Sequence, residues 1–133
     1  MKIRKILMLS GIALVTALSA LTAQAECAGT VVTGNNGHEY CKSDISSANR
    51  YMNWWSAYTW CEANGRHLAT IYELCPDWDG SMGSGKCSNV NSSFPYRAWT
   101  STAHGSNGAI YVRRSAEVQS DLTRESNISA LCY

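Results

Sequence analysis

Apolar and polar positions change rhythm several times along this chain. Ile6 to Leu21 is an uncharged, mainly apolar run. Thr30-Val31-Val32-Thr33 is rich in strand formers, Gly34-Asn35-Asn36-Gly37 is a turn cluster, and His38-Glu39-Tyr40 returns, so residues 27–41 predict a hairpin. Lys42 to Asn53 is polar and reads as a connector, with Tyr51 and Met52 beginning to pack on the core. From Asn53 to Gly65 the period becomes helical. At about 100° per residue, Trp54, Ala57, Tyr58, Trp60 and Cys61 share one broad side, and Ser56, Thr59, Glu62 and Ala63 share the other. Asn53 suits the N-cap and Gly65 the residue past the C-terminus. Trp55 falls on the polar side. Cover by the hairpin is the expectation there, and exposure to a partner is the alternative.

Leu68 to Ile71 then reads as a short buried strand, and residues 72–75 as one helical turn before Pro76. Residues 76–97 are dominated by glycine, serine, asparagine and proline, and predict a loop. Short strands follow at 99–102, 109–113 and 116–119, and a last, central one at 130–133. The pattern predicts an α+β domain: one or two helices on a small antiparallel sheet. No internal repeat is evident.

The ends and the charge narrow the setting. Lys2, Arg4 and Lys5 precede the apolar run, and Ala23-Gln24-Ala25 closes it with small residues where a signal peptidase reads. Residues 1–25 therefore read as a signal peptide, and 26–133 as one domain whose first part, 26–53, holds the hairpin. A retained anchor is the alternative, but the run is short against the ~20 apolar residues of a spanning helix. Glu26 before Cys27 speaks against lipid attachment. Without the three basic residues of the leader the chain has eight basic and ten acidic residues, a formal charge of −2. There is no basic stripe, so nucleic acid is not an expected partner, and no membrane contact is expected after cleavage. The expected location is secreted or periplasmic.

All six cysteines, Cys27, Cys41, Cys61, Cys75, Cys87 and Cys132, follow the leader. An even count in that setting implies disulfides, with fifteen connectivities open. A bridge from Cys27 to Cys41 would close the hairpin, and one from Cys75 to Cys87 would staple half of the loop. Zinc is the rival. There is no C-x-x-C, and His38, His67 and His104 lie scattered, so no metal and no cofactor are expected.

The spacing Trp54-x-x-Ala57-x-x-x-Cys61-x-x-x-Gly65-x-x-Leu68-Ala69-x-Ile71 is more specific than an amphipathic helix requires. It resembles the start of a C-type lectin-like domain, of the small bacterial secreted type. Ala130-Leu131-Cys132 is similar to that family's last strand, and Trp99 sits where the family has a Trp-Ile-Gly-Leu strand. The resemblance covers most of 54–133 and implies a compact C-type lectin-like fold with Cys61 bonded to Cys132. The other four cysteines then pair most economically as Cys27–Cys41 and Cys75–Cys87. The family's Glu-Pro-Asn or Gln-Pro-Asp tripeptide and its Trp-Asn-Asp strand are absent, and only about thirty residues separate Trp99 from Cys132. The resemblance thus implies a calcium-free binding module for a glycan or an extracellular protein.

The candidate ligand residues lie in the 76–99 loop: Asp77, Trp78, Asp79, Asn89, Asn91, Tyr96 and Arg97. An aromatic ring beside acid and amide groups is the chemistry of a metal-free sugar site. For Asp77-Trp78-Asp79-Gly80 the alternative is an Asp-Gly turn with Trp78 packed inward; calcium would need a distal acid that the loop lacks. Arg113-Arg114 could meet an acidic glycan, or be ordinary solvated charge. Catalysis is not expected. Glu62, Glu73 and Asp77 could supply a carboxylate pair in number, but nothing fixes their geometry, and there is no G-x-S-x-G. A structural subunit of a surface or fimbrial assembly is the other alternative.

Overall fold

The computed structural model describes residues 26–44, 52–121, 123–124 and 128–133. The expected leader, Tyr51 and most of the polar connector lie outside the described residues. Among the described residues the protein is α+β, with few helices, two small antiparallel sheets and three disulfides.

One sheet is built from β1 (Thr30–Thr33), β2 (Glu39–Lys42) and β6 (Leu131–Cys132), in the order β1-β2-β6. The hairpin turns through Gly34–Gly37, with Gly37 at a φ of 84°. The second sheet runs in sequence order through β3 (Arg97–His104), β4 (Gly108–Arg113) and β5 (Glu117–Asp121). β4 is central, and Gly108 to Val112 are all buried. β3 joins the sheets. Its register shifts between Trp99 and Ala103, and in that interval its backbone turns to other partners: the Trp99 N–H donates to the Ser129 carbonyl and the Ser101 N–H to that of Ala69.

The helix α1 (Trp54–Ala63) starts where Asn53 accepts from the Ser56 N–H. It ends at Asn64, and Gly65 takes a φ of 66°. A short α2 (Ile71–Leu74) follows, closed at its start by a capping box between Thr70 and Glu73. Ile71 therefore opens a helix. The strand expected over Leu68 to Ile71 is reduced to one bridge, Leu68 to Cys132. That bridge gives β6 a neighbour on its free side, so the last strand lies between β2 and residues 67–69.

The bridges are Cys27–Cys41, Cys61–Cys132 and Cys75–Cys87. The core has two parts. One gathers Tyr40, Ile71, Leu74, Phe94, Ile110 and Leu131 between the sheets, and the other packs Ala57, Cys61, Leu68 and Trp99 under α1. Trp99 has no exposed surface, and its indole N–H donates to the Met52 carbonyl at 2.9 Å.

Two expectations about α1 are corrected. Tyr58 does not face the core but is 38% exposed, leaving Ala57 and Cys61 as the buried residues of the helix. Trp55 is not covered by the hairpin and stands 50% exposed. The reason is placement. The open end of the hairpin meets the far end of α1, where the Ala28 N–H donates to the Asn64 side chain, roughly 13 Å along the axis from Trp55 at 1.5 Å per residue. The hairpin tip instead reaches the loop at Asn89.

Candidate functional site

The seven loop residues fall into three neighbourhoods, each set by a different element. The first is the turn after α2. Ile71 and Leu74 point inward, so the intervening Tyr72 points outward and is 60% exposed. Trp78 tilts against it with ring centroids 5.5 Å apart. Trp78 packs its inner side on the core, and its indole N–H donates to the Ser81 carbonyl at 2.7 Å. The inward and outward readings of Trp78 are therefore each half right.

Asp79 organises this turn. One carboxylate oxygen accepts from the Ser81 hydroxyl and amide at 2.5 and 2.9 Å, and the other meets the Lys86 ammonium at 2.9 Å. The Ser81 hydroxyl first, then Lys86 and the Ser81 amide, hold the carboxyl far below the usual carboxylate range. Both oxygens are thus occupied by the protein itself. Because the shift is downward, the turn keeps this support at all pH above the ordinary carboxylate range and loses it only as the pH falls through the depressed value. Trp78 emission is expected to stay unchanged from pH 7 to pH 4 and to shift only in stronger acid. In Asp79→Asn the shifted emission should be present already at pH 7.

Asp77 lies two residues before Asp79, exposed at the rim of a hollow of about 250 Å³ lined also by Asn35, Asn36, Pro76, Ser88 and Asn89. This is the second neighbourhood, where the hairpin tip meets the loop. Asn89 is corrected here as a ligand residue: its side chain is buried and spent on the fold. Its amide donates to the Tyr40 hydroxyl at 2.9 Å and the Leu74 carbonyl at 2.8 Å, and its oxygen accepts from the Asn36 N–H at 2.8 Å. The Tyr40 hydroxyl in turn donates to the Glu73 carbonyl at 2.8 Å, and burial pushes its pKa up. A Cβ on Gly34 would come within 2.5 Å of the Asn89 oxygen, so the tip needs glycine to close on it. Asn91 is half-buried, and its side chain holds the neighbouring chain near the surface, donating to the Thr33 carbonyl at 3.0 Å and accepting from Ser93.

The third neighbourhood is the start of β3. Tyr96 is 53% exposed. The Arg97 guanidinium lies 5.7 Å from its ring centroid, and that of Arg114, from the β4–β5 turn, 5.8 Å. Arg97 also lies 5.8 Å from the Tyr111 ring. Arg113, opposite Arg97 in the sheet, is paired with Glu117 at 3.0 Å.

The structure adds Tyr72, Asn35, Asn36 and Ser88 to the residues named from sequence. Tyr72 carried a readable signal: Thr70-x-x-Glu73 is a capping box, which turns the residue before Glu73 outward. The hairpin asparagines carried none, since their meeting with the loop is a long-range contact. Of the carboxylates considered for catalysis, Glu73 is engaged. It accepts from the Thr70 N–H at 2.9 Å and pairs with His67 at 2.8 Å. No protein-family model, curated protein or solved structure matches this chain.

Proposed function

We propose that this chain is an extracytoplasmic binding module of C-type lectin-like fold that takes a glycan without calcium. The observation that carries the reading is the open Tyr72–Trp78 pair, joined through Asp77 to a hollow edged by Asn35, Asn36 and Ser88. Aromatic rings meet the apolar faces of sugar rings, and a few placed amide, hydroxyl and acid groups meet their hydroxyls. Three disulfides suit an oxidising compartment, and no helix among the described residues is long and apolar enough to cross a membrane. The calcium-free part is supported by the Asp79 carboxylate, which already carries an ammonium that opposes a second cation there.

Tyr72→Ala is expected to weaken glycan binding by about tenfold with an unchanged melting temperature, because the ring is exposed. Trp78→Ala should weaken it at least as much, with some loss of stability. A glycan array read in calcium and in chelator checks both parts. Binding that vanishes in chelator would refute the calcium-free site, and binding indifferent to both substitutions would refute the platform.

A second reading, a subunit that docks on protein in a surface assembly, is favoured by one observation. Trp55 and Tyr58 stand exposed beside Trp54, with the Arg124 guanidinium 4.5 Å from the Trp54 ring. Self-association by light scattering, abolished by Trp55→Ser and accompanied by a blank array, would favour it.

A further inference from the structure

We propose that Tyr96, Arg97 and Arg114 form an anion subsite that takes the carboxylate or sulfate of an acidic glycan. The inference rests on the glycan reading above and gives its ligand a charge class. It uses a different surface, so the two can fail separately.

Two cations converge on one exposed ring in a chain whose charge after the expected leader cleavage is −2. Among the described residues, neither forms an ion pair with an acid. The nearby Glu117 is engaged by Arg113 at 3.0 Å and by Gln119. The Arg97 Nε is buried and has no hydrogen-bond partner among the described residues. An incoming oxyanion would therefore meet the terminal N–H groups of Arg97, which can offer it two parallel donors.

The backbone holds the cations in place. Arg97 lies in β3, between the Tyr96 and Tyr111 rings. Arg114 sits in a tight turn closed by the Ala116 N–H donating to the Arg113 carbonyl at 3.0 Å, with Ala116 at a φ of 65°. The turn is pinned from outside, since the Lys86 N–H donates to the Ala116 carbonyl at 2.9 Å, and the Arg114 N–H reaches the Tyr96 carbonyl. The π-face of Tyr96 orders the guanidiniums without consuming their N–H donors. The patch offers two cations, one amphipathic ring and a phenol hydroxyl. That favours an acidic sugar over an acidic peptide, whose docking calls for apolar anchors.

The test is titration calorimetry of the mature chain with four probes: a galacturonate trimer, its methyl ester, a sulfated galactan oligosaccharide and tetraglutamate. At least one acidic sugar is expected to bind about tenfold or more tighter than the methyl ester, with the advantage shrinking as salt rises. Which one does so tells carboxylate from sulfate. Arg114→Gln, at an exposed position, and Arg97→Gln should each remove most of the advantage, and Arg114→Gln should leave the melting temperature unchanged. Equal binding of ester and acid overturns the subsite and leaves the glycan reading standing. Tetraglutamate binding as tightly as the sugars, and lost in Arg114→Gln, overturns the sugar assignment in favour of an acidic peptide. No binding of any probe, with the array also blank, overturns both readings.

Discussion

Replacing Cys61 and Cys132 together by alanine is expected to lower the stability of the folded chain by about 4 kcal/mol, measured by urea unfolding. The two residues are 71 positions apart, fully buried, and join α1 to the last strand. Their bridge closes the longest loop in the protein. On the chain-entropy account it therefore removes the most freedom from the unfolded state. The Cys75–Cys87 bridge spans only 12 positions, and its loss should cost about 3 kcal/mol by the same account. The ordering is the sharp part. A larger loss from the 75–87 pair than from the 61–132 pair would mean that local strain or packing, rather than loop closure, governs these bridges.

The second large effect concerns a residue that sequence placed in the ligand site. Asn89→Ala is expected to cost about 3 kcal/mol in the same unfolding experiment, because it leaves several buried partners without their hydrogen bonds. The Tyr40 hydroxyl loses a donor, the Leu74 carbonyl loses a donor, and the Asn36 N–H loses its acceptor. The comparison is Asn91→Ala. Its bonds lie nearer to solvent, and water can replace them, so a loss of about 1 kcal/mol or less is expected. An Asn89 variant as stable as wild type but deficient in binding would restore the residue to the site and refute its structural role.

Asn89 also marks where sequence reading stopped. Local signals were legible. Asn53 and Gly65 bounded α1, the Gly34–Gly37 cluster made the hairpin turn, and the β-branched and aromatic runs after Trp99 became β3, β4 and β5. The α+β class followed from these. What failed was long-range. Trp55 and Tyr58 could be given a side of the helix but not a neighbour, and the neighbour decides burial. Leu68 to Ile71 looked like a strand by composition, yet the Thr70–Glu73 capping box claimed Ile71 for α2. In the 76–99 loop, asparagine is equally good at holding a ligand and at holding a hairpin tip. Only the fold tells the two apart, and it used Asn89 and Asn91 for the second purpose. Asp77, Trp78 and Tyr96 kept a face to solvent because strand and turn geometry left it uncovered.

The three bridges also decide what happens when the chain is cut. Every peptide bond from Cys61 to Cys132 lies inside one covalent ring, and those from Cys27 to Cys41 lie inside another. A protease that nicks the 76–97 loop, or any turn between β3 and β6, leaves both pieces tethered. Only the stretch between Cys41 and Cys61, and the outermost ends, can be severed so that the fragments part. Such a molecule can be cut in its 76–97 loop and still hold together.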